Sequence, residues 1–383
     1  MKTTTAWGQS SVLGRALYVG MELSDKIWKL AFSSGWEQRP RLRDVTAGDV
    51  EKLAEEISRA LKLFKLAADT PVCFCYEAGR DGFWVHRALE ARGWRCLVVD
   101  SSSIEVPRRK RRAKTDRLDA SKLVTQLIRY CQGEKTALKV VRVPSEAEED
   151  RRHWRRELKT LKEDRARISA RLRSLLKLHG IRHGRSLQGL EKELKGMRTW
   201  SGGPIPAVLL GRLQREARRW EELTERIDEL DRCRREWARR QDNPIWQMVC
   251  QLMRIKGIGI ETAWYLTLEL FGWRRFANRK QVAGVAGITP TPYGTGGDFR
   301  EQGISQASNS ALRAILIEMA WSWVRYQPNS ALTLWWKRRF SEGGGRARKI
   351  GIVAVARKLL IGLWKYLKWG EIPEGASLKQ VKA

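Results

Sequence analysis

Between Leu17 and Asp100, short apolar runs alternate with amphipathic stretches. LYVGMEL, IWKLAF, PVCFCYE and RCLVVD read as strands, and GDVEKLAEEISRALKLF and GFWVHRALEARG read as helices. Only Ser24, Asp25 and Lys26 separate the first two runs, so they are expected to pair as a hairpin, whereas the later strands are reached through helices. The expectation is an α/β domain with a mixed sheet that opens on a hairpin.

From about Ser145 to Gln241 the period changes. Charged helix formers carry apolar residues at three-to-four spacing in LKTLKEDRARISARLRSLLKLHGI and in WEELTERIDELDRCRREW. Two long helices in an antiparallel, coiled-coil-like hairpin are predicted, with TWSGGPIPAVLLG as a turn or irregular passage between them. A third region, mostly helical with one Gly-rich loop and a basic helical tail, starts near Asn243 and Pro244. The expected domains are therefore 1–143, 144–242 and 243–383.

Charge narrows the class of partner. Among 383 residues, 74 Lys and Arg face 43 Asp and Glu, a formal net charge of +31. A surface this basic binds polyanions by counterion release, which favours nucleic acid over an anionic membrane. A hydrophobic fraction of 42% supplies real cores and argues against a disordered basic tail. No run reaches the length of a membrane span and the N-terminus lacks the apolar core of a signal peptide, so a cytosolic protein is expected. Six cysteines without a CxxC pair indicate buried reduced thiols rather than a zinc knuckle. The 18 tryptophans, many beside Arg or Lys, are read mainly as core or interface anchors.

Four acids stand where chemistry is expected. Glu22 ends the first strand, Glu77 follows PVCFCY, and Asp116 and Asp119 lie three apart on the helix that begins TDRLDASKLV, so they share a face. Converging carboxylates raise one another's pKa unless cations join them, and such a set suits two Mg²⁺ ions in phosphodiester chemistry. The basic segment just before the helix, with Arg108, Arg109, Lys110, Arg111, Arg112 and Lys114, is placed to hold phosphates. Taken singly, each acid would be an ordinary strand-end or first-turn residue. The case rests on the constellation.

Two further motifs lie in the third region. IKGIGIETAWYLTLE resembles a helix-hairpin-helix element, in which Lys256, Gly257 and Gly259 would meet a DNA phosphate, although a plain interhelical turn explains the glycines equally well. In PTPYGTGGDFREQGIS, Thr295 offers a hydroxyl between glycines that could attack a phosphodiester once activated.

These pieces, in this order, resemble the IS110/IS1111 family of insertion-sequence transposases. YVGMELS, YEAGRDGFWVHRAL, VDSSSIEVPRRKRRAKTDRLDASKLV, VAGITPTPY and REQGISQASNSALR carry the likeness over nearly the whole chain. It implies a RuvC-like, RNase H-type DEDD domain, a helical middle and a C-terminal transposase domain. The implied acidic tetrad is Glu22, Glu77, Asp116 and Asp119, with Glu in place of the first Asp. The serine of the family's Tyr-x-Ser-Gly pattern falls on Thr295; Ser305 is the other candidate hydroxyl, in a block altered at Gln306 and Ser308.

The resemblance further implies donor and target DNA as substrates and a non-coding guide RNA that pairs with both. It implies attack by the hydroxyl to give a covalent protein–DNA link, and a homo-oligomer, dimer or tetramer, joined through the helical arm. A RuvC-like nuclease using water is the competing enzymatic reading. A nucleic-acid binder that has lost its chemistry is the competing reading outside enzymes.

Overall fold

A computed structural model describes residues 15–36, 38–79, 82–100, 104, 116–184, 186–240, 243–295, 298–304 and 310–379. The chain divides into two compact units, Met1–Val143 and Pro144–Ala383.

In the first unit, β1 (Leu17–Glu22), β2 (Ile27–Ser33), β3 (Arg41–Thr46), β4 (Val72–Glu77) and β5 (Arg95–Val99) form one mixed sheet in the order β3-β2-β1-β4-β5. The β1–β2 hairpin is antiparallel, as expected, and β4 and β5 lie parallel to β1. Strand β3 was not foreseen. It sits at the sheet edge and buries only Val45, so RLRDVT shows no apolar alternation.

Odd residues of β1 (Leu17, Val19, Met21) and even residues of β4 (Phe74, Tyr76) pack with α1 (Val50–Leu63) and α2 (Trp84–Glu90). The alternate set, Tyr18, Cys73 and Cys75, faces α3 (Asp116–Cys131) through Leu123, Val124 and Leu127. With helices on both faces, β1 and β4 are buried up to their terminal glutamates, which is why they read as continuous hydrophobic runs.

The second unit begins at a capping box, in which the Ser145 hydroxyl accepts from the Glu148 N–H and the Glu148 carboxylate accepts from the Ser145 N–H. It opens α4 (Glu146–Leu178), which pairs with α6 (Ala207–Ala238). Contacts run in opposite senses along the two helices: Arg165 to Thr224, Ser169 to Trp220, Arg171 to Glu216. The passage between them is irregular over residues 199–206 as expected, but Ala207–Gly211 of the same run already belong to α6, and a further folded segment precedes it. The short helix α5 (Leu190–Glu193) and a 3-10 turn fold Leu187, Leu190, Leu194 and Ile205 into a buried cluster.

The base of this hairpin is joined to the helices that follow, α7 (Pro244–Arg254) and α8 (Ile260–Leu266), by a chain of indoles. Trp154 meets Trp237 at 5.1 Å between ring centroids, Trp237 meets Trp264 at 6.3 Å, and Trp246 meets Trp264 at 5.8 Å. Arg152 and Arg155 of α4 then close on Glu269, in a single π-helical turn over Thr267–Phe271, at 2.9 and 2.8 Å. The unit is completed by α9 (Arg279–Val285), β6 (Pro290–Thr295), β7 (Asp298–Ile304), α10 (Ser310–Tyr326), α11 (Ala331–Phe340) and α12 (Gly345–Trp369). The predicted Gly-rich loop is thus a β6–β7 hairpin. Its strands interleave Gly and Pro with β-formers, which hides the pairing from a propensity reading.

Among the described residues, no helix is long and apolar enough to cross a membrane. All six cysteines are free; Cys73, Cys75, Cys96 and Cys131 are buried as expected, whereas Cys233 is exposed and Cys250 half-buried.

Candidate active site

The register of β1 on β4 pairs Leu17 with Val72 and runs without a break to Met21 with Tyr76. One step further along both strands stand Glu22 and Glu77. They therefore end adjacent parallel strands at one level, and alternation points both toward the face covered by α3.

Helix α3 runs back along these strands. Cys73 and Cys131 share one buried cluster, and the Cys75 thiol donates to the Leu123 carbonyl at 3.4 Å. Moving up β4 from Cys73 to Cys75 therefore moves toward the start of α3, the end of the helix on which Asp119 lies. The approach is close because β1 has no side chain at Gly20. A Cβ there would lie 2.5 Å from the Ala120 carbonyl oxygen and 2.6 Å from the Val124 nitrogen. Beneath this edge burial pushes the Tyr18 hydroxyl up to about 12, and the neighbouring Cys131 thiol together with burial pushes the Cys73 thiol up.

Asp119 is partly buried, with 20% of its side chain exposed, and its carboxylate accepts from Lys122 Nζ at 2.8 Å. Asp116 is the first residue of α3, and its side chain lies outside the described residues. Among the described residues, no group of three or more His, Cys, Asp or Glu is arranged to hold a metal. The donor set of carboxylates at strand ends and a helix start nonetheless suits a hard cation in its chemistry.

Arg108, Arg109, Lys110, Arg111, Arg112 and Lys114 lie outside the described residues, as does Ser305. The backbone of Thr295 is the last residue of β6, paired with Asp298 across a two-residue connection, and its side chain is not described. In the Lys256–Gly259 turn, Gly257 takes φ +93°, which explains the glycine there. The turn's carbonyls are occupied: Gln327 Nε2 donates to Lys256 O, Ser322 Oγ to Gly257 O, and Lys379 Nζ to Ile258 O. Lys256 and Gly259 are exposed.

The tryptophans described above serve mainly as packing. A cleft of about 270 Å³ is the exception in character, because it sets Phe271, Phe276 and Trp364 beside Arg274, Arg275 and Lys368. The residue that a reading of motifs missed is Gly20, whose signal was a lone glycine inside an otherwise apolar strand.

Residues 38–181 match the model of the DEDD transposases of IS110 type, a span that includes Glu77, Asp116 and Asp119 but not Glu22. Residues 250–334, which include Thr295, match the model described as the transposase IS116/IS110/IS902 family. The chain is 38% identical over 380 residues to y4rJ of Sinorhizobium fredii, a transposase by name, covering 95% of each protein. It is 29% identical over 349 residues to y4qE of the same organism, also a transposase by name, covering 83% of this chain and 80% of that one.

Proposed function

The chain belongs to the IS116/IS110/IS902 family of transposases, and from that premise we propose that it cuts and rejoins DNA strands. In this reading the first unit is a RuvC-like DEDD domain and the hydroxyl nucleophile is carried by the β6–β7 hairpin. What supports the proposal is the register of β1 on β4, which runs to Met21 with Tyr76 and leaves Glu22 and Glu77 as the next residue of each strand, with α3 running back along the same face.

Glu22, Glu77, Asp116 and Asp119 are the residues that would hold Mg²⁺, two ions for a set of this size. Bound there, Mg²⁺ would draw charge from the phosphoryl group as it is transferred. The chain supplies the rest. Thr295 Oγ forms a bond to phosphorus as the bond to a deoxyribose oxygen breaks; the threonine proton passes to a base and the leaving oxygen takes one up. The DNA is then esterified to the protein. Attack by another strand's hydroxyl reverses the step, frees Thr295 and joins new ends.

The basic run Arg108–Lys114, which precedes Asp116 in the sequence, would hold phosphates, and exposed Lys256 adds a phosphate contact at the Gly257–Gly259 turn. The +31 charge supports a double load of donor and target DNA with a non-coding guide RNA. Base pairing would then supply sequence choice, and the protein would read shape and backbone. The α4–α6 hairpin is the proposed joint between protomers of a homo-oligomer.

The test combines purified protein, RNA transcribed from the flanks of its gene, Mg²⁺, and labelled donor and target DNA, followed by denaturing gels. Protein-linked DNA and joined strands that disappear in both Asp116→Ala and Thr295→Ala support the proposal. Cleavage lost only in Asp116→Ala replaces it with a metal nuclease using water, and nucleic-acid binding without cleavage replaces it with a binder that has lost its chemistry.

A further inference from the structure

A cavity of about 490 Å³ opens between α12 and the foot of the β6–β7 hairpin. Ile288, Ile304 and Val353 make an apolar floor, and Arg346, Lys349 and Arg357 stand around it. Positions 346, 350, 353 and 357 recur at three- and four-residue steps, so they form one stripe of α12. Ile350, within that stripe, is 56% exposed, an unusual place for an isoleucine between cations. No carboxylate among the described residues pairs with Arg346, Lys349 or Arg357.

An apolar concavity ringed by unpaired cations is a poor match to duplex DNA, which presents phosphates and groove edges and keeps its base faces stacked. It matches a base lifted from the stack, with its flanking phosphates on the rim. The volume falls in the range of pockets that hold molecules of nucleotide size. The lining side chains supply donors, on Arg346, Lys349 and Arg357, and no acceptor, so they offer nothing to the amino groups of a base.

We propose that this cavity seats one unstacked nucleotide of a single DNA strand, its base on the Ile288–Ile304–Val353 floor and its phosphates on Arg346, Lys349 and Arg357. The choice of DNA over RNA rests on the transposition reading above, because Pro290 and Gly303, at the foot of the hairpin that carries Thr295, form one wall.

The test is direct binding by the full chain in EDTA, so that its outcome does not depend on strand cleavage or on the acidic tetrad. The probe is a fluorescein-labelled thymidine oligomer of about 12 nucleotides, compared with a duplex and with an RNA of equivalent sequence. A second oligomer carries 2-aminopurine, whose emission rises when the base leaves the stack. Arg346→Ala with Lys349→Ala is expected to weaken single-strand binding about tenfold or more and to lower the salt slope by about 0.7 per cation. Ile350→Asp is expected to abolish the 2-aminopurine rise. Both variants should keep the native circular dichroism and melting midpoint, since the altered side chains are exposed. Lys192→Ala with Lys195→Ala, which removes the same charge from the far end of the helical hairpin, should change little. Equal losses in that control, equal losses on duplex, unchanged binding in the cavity variants, or RNA bound more tightly through the same residues would each overturn the proposal.

Discussion

Gly20 lies so close to Ala120 that a Cβ on it would stand 2.5 Å from that residue's carbonyl oxygen. The contact is backbone to backbone, so no rotamer change relieves it; either β1 or α3 must shift. Gly20→Ala is therefore expected to cost about 1–3 kcal/mol in urea unfolding of the full chain. It should also reduce strand joining by more than the stability loss explains, because α3 carries Asp116 and Asp119. An unchanged midpoint would show that α3 yields freely and would remove the argument that Gly20 positions the acids.

Glu22 and Glu77, at one level on adjacent strands, place two like charges side by side. Replacing either by the isosteric amide keeps its shape and removes a charged ligand for a hard cation. Glu22→Gln and Glu77→Gln are each expected to lower the yield of joined strands about 100-fold or more while the native circular dichroism is kept. Glu22 is the sharper case, because it lies outside the span matched by the DEDD family model. If Glu22→Gln keeps full activity, the acidic site is built without β1.

Sheet and site were legible to different depths. The β1–β2 hairpin could be read because both strands are apolar and only three residues part them, and Glu22 and Glu77 could be set at strand ends because each closes an apolar run. Edge strand β3 was hidden by RLRDVT, in which only Val45 is buried. The β6–β7 pairing was hidden because hairpin strands that interleave Gly and Pro have no periodicity to detect. The union of Glu22 with Glu77 is a matter of register, which a single sequence does not contain, although the parity of the flanking residues is consistent with it. Least legible was the attachment of α4 to Glu269, over more than a hundred residues of chain.

Glu269 is almost completely buried, with 3% of its side chain exposed, and accepts hydrogen bonds from Arg152 and Arg155. Burial alone would push its carboxyl up, but the guanidiniums of Arg152, Arg155 and Arg156 outweigh that and hold it below its ordinary 4.5. A carboxyl whose pKa is depressed on folding adds stability that is full above its unfolded value and is lost as pH falls through the folded one. The urea midpoint should therefore drop as acid is added below about pH 4.5. Glu269→Ala, which leaves buried guanidiniums without their partner, should cost about 3–5 kcal/mol near neutral pH and flatten the acid limb of the profile. A profile that keeps its acid limb in Glu269→Ala would assign that limb to other carboxylates.

Thr295 ends β6 directly before the two-residue connection to Asp298, so the hairpin fixes the backbone that carries the proposed nucleophile. A threonine presents its hydroxyl with a methyl group on the same carbon, which restricts rotation about χ1 without altering the oxygen's chemistry. Thr295→Ser is therefore expected to retain protein-linked DNA at a level within about tenfold of the parent. Thr295→Val keeps the shape and loses the oxygen, so it should give no adduct while binding DNA with unchanged affinity. The pair separates chemistry from packing: adduct in Thr295→Val would move the nucleophile elsewhere, Ser305 being the next candidate. Adduct lost in Thr295→Ser as well as in Thr295→Val, with binding intact in both, would mean that the methyl group holds the hydroxyl in the one rotamer that can attack.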